Sequence, residues 1–159
     1  MIRYLMATAI LSLPLAAAAQ SSERLSRWPA SMARKQQMIM HGLPKPYQGL
    51  RDLSPDTSAK LRRGAAVFAQ HCSACHGMMG QGAGQAAYAM DPVPADLEWL
   101  ARTPKSRSGP YMYWTIAEGG RAFLSDMPPF KATLSSKDRW AVIAYIRAGF
   151  LRKMGSITE

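Results

Sequence analysis

The chain has 159 residues, with 20 Lys and Arg against 10 Asp and Glu, three His and two Cys, and a formal charge of +10 at neutral pH. That length suits one domain with one core, and two cysteines are too few for a disulfide framework. The basic balance favours acidic partners or anionic surfaces; with no zinc-finger spacing or other nucleic-acid motif beside it, nucleic acid is not expected among those partners.

Residues 1–19 combine Arg3, an apolar run from Tyr4 to Leu15 and the small residues Ala17, Ala18 and Ala19, the pattern of a cleaved secretory signal peptide. The apolar run is shorter than the roughly 20 residues a helix needs to cross a bilayer. The mature chain is therefore expected to begin near Gln20 and to be periplasmic, with no transmembrane anchor after cleavage. Neither cysteine lies near the cleavage site to carry a lipid.

Residues 20–53 read as an N-terminal extension, an arm rather than an obvious part of a core. Ala30 to Met40 is expected to form a short amphipathic helix containing the basic pair Arg34 and Lys35. Gly42, Pro44 and Pro46 then enforce turns or extended backbone. Met38, Met40 and His41 carry soft donors that suit copper, although methionines commonly serve only to pack.

The core is expected to begin at Ser54-Pro55-Asp56-Thr57, where a capping residue, a proline and an acid precede a helical pattern. Leu61, Ala65 and Phe68 share one face of that helix. Gly64 lies inside it, a costly residue there unless another helix crosses closely. The helix leads into Cys72-Ser73-Ala74-Cys75-His76. C-x-x-C-H is the pattern of c-type haem attachment, in which two thiols bond the porphyrin edge and the histidine meets the iron. A thiol oxidoreductase would place its C-x-x-C at a strand-to-helix turn of a βαβ unit, and no such pattern surrounds this one. His71 is an improbable second ligand, because its neighbour Cys72 is already committed to the porphyrin edge.

Beyond Gly77 the chain turns loop-like through Gly80, Gly82 and Gly84 to Pro92 and Pro94. Such backbone passes close to a flat ligand, and a carbonyl of Pro92 or Pro94 is the expected acceptor for the free nitrogen of His76. Gly109-Pro110 is expected to open a second helical stretch, Tyr111 to Glu118, closed by Gly119-Gly120; its aromatics serve the core, with a haem propionate the alternative partner for the polar group of a buried Trp or Tyr, and Arg121 faces water, the alternative being a propionate. In Asp126-Met127-Pro128-Pro129-Phe130 the two prolines hold the backbone extended, which fixes the Met127 side chain as a candidate iron ligand, with His41 its rival. Met78 and Met79 lie too near the attachment turn, Met90 and Met112 lack the Pro-Pro frame, and Met154 lies past the last helix. That helix is expected from a Ser135 cap, with Asp138 three residues on, through Trp140, Ile143, Tyr145 and Ile146 to Arg147 and Gly149.

Taken together, Gly64-x-x-x-Phe68-x-x-x-Cys72-x-x-Cys75-His76-Gly77, Met127-Pro128-Pro129-Phe130, Leu134-Ser135 and the helix from Trp140 to Arg147 resemble the class I monohaem c-type cytochromes of the bacterial periplasmic type. The resemblance covers residues 54–150 and leaves out the arm at 20–53 and the tail at 151–159. It implies an all-α, small cytochrome c fold, its N- and C-terminal helices crossing around one covalently attached haem c. By the same resemblance Cys72 and Cys75 are the attachment sites, His76 the proximal and Met127 the distal iron ligand. The expected function is one-electron transfer rather than catalysis, free-standing or as the haem subunit of a periplasmic redox complex. Acidic redox proteins, such as a periplasmic dehydrogenase, reductase or terminal oxidase, are the expected partners. The alternative is a ligand-binding or catalytic haem c protein in which the methionine ligand dissociates.

Overall fold

The computed structural model describes residues 30–102 and 104–150; the expected signal peptide, the first ten residues of the arm and the tail at 151–159 lie outside them. Every regular element among the described residues is helical, in keeping with the all-α expectation. In chain order these are α1 (Ala30–His41), a 3-10 turn (Lys45–Tyr47), α2 (Ser58–His71) and α3 (Ser73–His76). A 3-10 turn (Gln85–Ala89), α4 (Leu97–Ala101), α5 (Lys105–Glu118), a 3-10 turn (Arg121–Phe123) and α6 (Ser136–Arg147) follow. None of these helices is long and apolar enough to cross a membrane.

The main joint is the packing of α2 on α6. Gly64 makes it possible: a Cβ there would stand 2.1 Å from the Ala141 carbonyl oxygen and 2.8 Å from the Tyr145 Cβ. The backbones approach where a side chain would otherwise hold them apart, so the glycine's cost to α2 is recovered in packing. Phe68 then fills the space beside the crossing, its ring against Tyr145 at 5.7 Å and Phe150 at 5.2 Å between centroids. Val142, Ile143, Tyr145 and Ile146 complete the buried face of α6.

Two helix starts differ from the sequence expectation. The α2 helix begins at Ser58 with Thr57 as its cap, the Thr57 hydroxyl accepting from Lys60 N at 3.2 Å. Ser54 does not cap because Asp52 engages it first, accepting from both its backbone N–H (3.1 Å) and its hydroxyl (2.6 Å). Asp56 turns instead to Lys60 at 2.7 Å, and Lys60 also meets Asp52 at 2.5 Å. The α5 helix starts at Lys105, and Pro110 lies inside it. Proline removes one ladder bond but does not end the helix, because the turn before it is closed by Ser108 N donating to Pro104 O at 3.0 Å. By contrast α6 starts as its sequence indicates, the Ser135 hydroxyl accepting from Asp138 N at 3.1 Å.

The described part of the arm packs against the C-terminal end of α5. Tyr47 is buried and donates its hydroxyl to Glu118, and Arg34 of α1 is buried and donates Nη2 to the Gly119 carbonyl. Met38 packs on the core from the same helix, while Ile39 and Met40 face solvent.

Candidate haem site

The attachment turn follows from the end of α2. Cys72 closes that helix, its N–H donating to Phe68 O at 2.9 Å, and its own carbonyl accepts from Cys75 N (3.2 Å) and His76 N (2.9 Å). One tight turn therefore carries both thiols and the imidazole. The glycine-rich loop folds back over it: Gly82 N donates to His76 O at 2.9 Å and Gly84 N to Cys75 O at 3.0 Å. A Cβ at Gly84 would stand 2.2 Å from the Ala74 carbonyl oxygen, so this closeness is open only to glycine.

Nδ1 of His76 lies 3.0 Å from the carbonyl oxygen of Ala95. The acceptor is thus Ala95, one residue beyond Pro94 and three beyond Pro92, the two expected acceptors. Pro94 is not available because its carbonyl faces Gly82, where a Cβ would lie 2.3 Å from it. A carbonyl can only accept, so Nδ1 carries the proton and Nε2 keeps its lone pair. Burial holds the ring below the usual imidazole range, with the Ala95 bond opposing. The neutral ring is the form that binds a metal. Burial also pushes the Cys72 thiol up to about 12, with Cys75 adding to the shift. A thiol–disulfide exchange site needs the opposite, a lowered thiol pKa.

Met127 sits on a strap joined to the end of α5. Its carbonyl accepts from Gly120 N at 2.7 Å and its N–H donates to the Ser125 hydroxyl at 3.3 Å. Farther along, Phe130 N donates to Ile116 O at 3.0 Å and Lys131 N to Ala117 O at 3.1 Å. The last carbonyls of α5, which have no partner within the helix, are taken up by the strap. Gly119 takes φ +67°, and a Cβ on it would stand 2.6 Å from Pro128 C. Met127 is thus framed by Gly119-Gly120 and Ser125 as well as by its prolines.

Cys72, Cys75, His76 and Met127 all border one cleft, whose space counted out to its mouth is about 1120 Å³. Ile116, Phe130, Ile146, Leu97 and Leu100 make much of its wall apolar. Two thiols, an imidazole with a free Nε2 and a thioether on an apolar cleft fit a haem as donor set and as surroundings. Met90 and Met112 border the cleft as well, and so does His71, edge-on to Phe130 at 5.9 Å. His41, the alternative ligand, is exposed and stands outside it. Among the described residues no group of three His, Cys, Asp or Glu could hold a separate metal ion.

Sequence reasoning missed Arg34. It borders the cleft, 4% exposed, with its guanidinium 4.7 Å from the Trp114 ring centroid and 4.4 Å from that of Phe123. The available signal was slight: Arg34 precedes Met38 by one helical turn and so shares its inward face.

Fold and site together define a c-type cytochrome domain. The family described as cytochrome C oxidase, cbb3-type, subunit III matches residues 59–146, and the chain belongs to that family. No curated protein matches the chain. Among solved structures it is similar to a chain of the reducing HAO-like protein complex of Kuenenia stuttgartiensis, with 22% identity and a TM-score of 0.52. The match covers 72% of this chain and 54% of that one, so it spans about half the length of that relative, and it bears on the fold alone.

Proposed function

We propose that this chain is an exported, periplasmic one-electron carrier holding a single haem c. In this reading Cys72 and Cys75 form the thioether attachments, His76 is the proximal iron ligand through Nε2, and Met127 is the distal ligand. The supporting observation is that all four side chains border one cleft. The haem, when bound, supplies a ferrous–ferric couple. The chain holds His76 in one tautomer through Ala95 and fixes Met127 through the Gly119-Gly120 joint and the prolines. Met127 and His76 would hold the iron through a thioether and an imidazole, a donor pair that would raise the potential. The role that follows is electron transfer, either free-standing or as the haem subunit of a periplasmic redox complex. The net charge of +9 left once Arg3 is removed with the signal peptide would speed encounter with an acidic dehydrogenase, reductase or terminal oxidase.

The test is the optical spectrum of the purified protein, oxidised and reduced, for wild type, Met127→Ala and Met90→Ala. The expected result is a low-spin c-type spectrum with the weak long-wavelength sulfur-to-iron band in wild type and Met90→Ala. Met127→Ala should lose that band and bind carbon monoxide. A wild type that is already high-spin or binds carbon monoxide readily would remove Met127 as a ligand and favour a ligand-binding or catalytic haem protein.

A further inference from the structure

Arg34 is a buried cation without a direct ion pair: the nearby carboxylate of Glu118 favours its charge but is itself bonded by Tyr47 and Lys131. Nη2 donates to the Gly119 carbonyl, but Nη1 finds no acceptor although it is shielded from solvent. Among the described residues no carboxylate lies within ion-pair distance of the guanidinium. Its remaining neighbours are the faces of Trp114 and Phe123, which attract a cation but leave N–H groups in the guanidinium plane unbonded. A charge buried without a partner is costly, because water is lost and nothing replaces it. Among the described residues the other buried guanidinium, Arg139, also leaves one nitrogen, Nε, without an acceptor, but its two terminal nitrogens are both bonded. It spreads Nη1 over the carbonyls of Lys131 and Leu134 and gives Nη2 to the Tyr113 hydroxyl. Arg34 alone of these two borders the cleft.

The proposed ligand brings what Arg34 lacks. A haem carries two propionate carboxylates, and a planar guanidinium is the side chain best matched to a carboxylate. We infer that Arg34 of the N-terminal helix binds a haem propionate, so that the arm, which lies outside the family's matched segment, forms part of the cofactor site. The inference rests on the haem reading above. It assigns α1 a role in binding: stacking on Trp114 and Phe123 and the bond to Gly119 hold the guanidinium in place at the cleft wall, and the propionate takes the donor left over. Arg34 would touch neither iron ligand; it would act through the porphyrin's charge and, more remotely, through the Gly119 carbonyl at the root of the Met127 strap. A cation held beside the propionate offsets its negative charge and thereby favours the ferrous state.

The experiment uses the full chain, matured with haem, as wild type, Arg34→Gln and Arg34→Lys. Two quantities are read: the propionate-bending band in the resonance Raman spectrum and the reduction potential. Arg34→Gln keeps a donor for the Gly119 carbonyl but removes the charge. It should shift the propionate band and lower the one-electron equilibrium constant about tenfold, equivalent to roughly 59 mV. Arg34→Lys keeps the charge without the planar fork, so it should shift the band while restoring most of the potential. If Arg34→Gln fails to mature, the Arg34→Lys band decides alone. A propionate band at its wild-type position in every variant that matures overturns the inference, whatever the potential does. If wild type itself carries no thioether-bound haem by its pyridine haemochrome spectrum, the functional reading fails first and separately.

Discussion

Replacing Gly64 by alanine sets two effects of opposite sign against each other. Within an exposed helix the change should stabilise by about 1 kcal/mol, since alanine is the better helix former. In this chain the new Cβ would meet the Ala141 carbonyl oxygen at 2.1 Å and its carbon at 2.7 Å. Ordinary contact starts at 3.4 Å, so α2 and α6 must separate by roughly 1 Å, and the atoms in the way are backbone that cannot rotate aside. Overpacking of this kind costs about 1–3 kcal/mol, and a rigid obstacle places it near the upper figure. The net loss is then about 2 kcal/mol, or a fall in melting temperature of about 8 °C for a domain of this size. Thermal unfolding of the haem-loaded protein followed by circular dichroism measures it. Ala66→Gly, at an exposed position of the same helix, isolates the propensity effect and should cost about 1 kcal/mol. A Gly64→Ala protein as stable as wild type, or more so, would refute the close crossing.

Other expectations follow from the electrostatics. Burial raises the Asp52 carboxyl, but bonds from Lys60 and Ser54 outweigh it and hold the group below the usual carboxylate range. A depressed folded pKa contributes stability above the unfolded value and loses it as the pH falls through the folded value. Asp52→Asn should therefore cost about 1 kcal/mol at pH 7, where Lys60 still keeps Asp56. The gap between the two proteins should close below about pH 4; denaturant midpoints at pH 7 and pH 3 that differ equally would contradict it. Electrostatic steering by the mature chain's net charge of +9, Arg3 leaving with the signal peptide, predicts an electron-transfer rate with the physiological partner that falls about tenfold or more from low to physiological salt. Stopped-flow rates indifferent to ionic strength would remove the acidic-partner proposal.

How much was legible depended on whether the cause was local. The Ser135 cap, the close approach at Gly64 and the turn from Cys72 to His76 follow from residues a few positions apart, and the sequence pattern points to each. The start of α2 was misplaced because Asp52, outside the helical window, competes for Ser54. The start of α5 was misplaced because Pro110 reads as a boundary, whereas the helix tolerates it one turn in. Ala95 rather than a proline meets His76 because Gly82 has already taken up the Pro94 side of the loop. Arg34 was the hardest to see: its acceptor, Gly119, is 85 residues away, and arginine on a short helix ordinarily reads as surface. Long-range partners of a single side chain leave almost no trace in local spacing.

The carbonyl that Arg34 engages and the N–H that holds Met127 belong to the same peptide group, the amide between Gly119 and Gly120. That group is planar and nearly rigid, so its two ends cannot move independently. A cation drawing on the oxygen polarises the N–H and strengthens its hold on the Met127 carbonyl. Any load that tilts α1, whose Ile39 and Met40 are open to solvent, therefore reaches the methionine strap through one amide plane acting as a lever. A protein that grips the arm from outside would be pulling, at one remove, on the strap that positions the methionine sulfur.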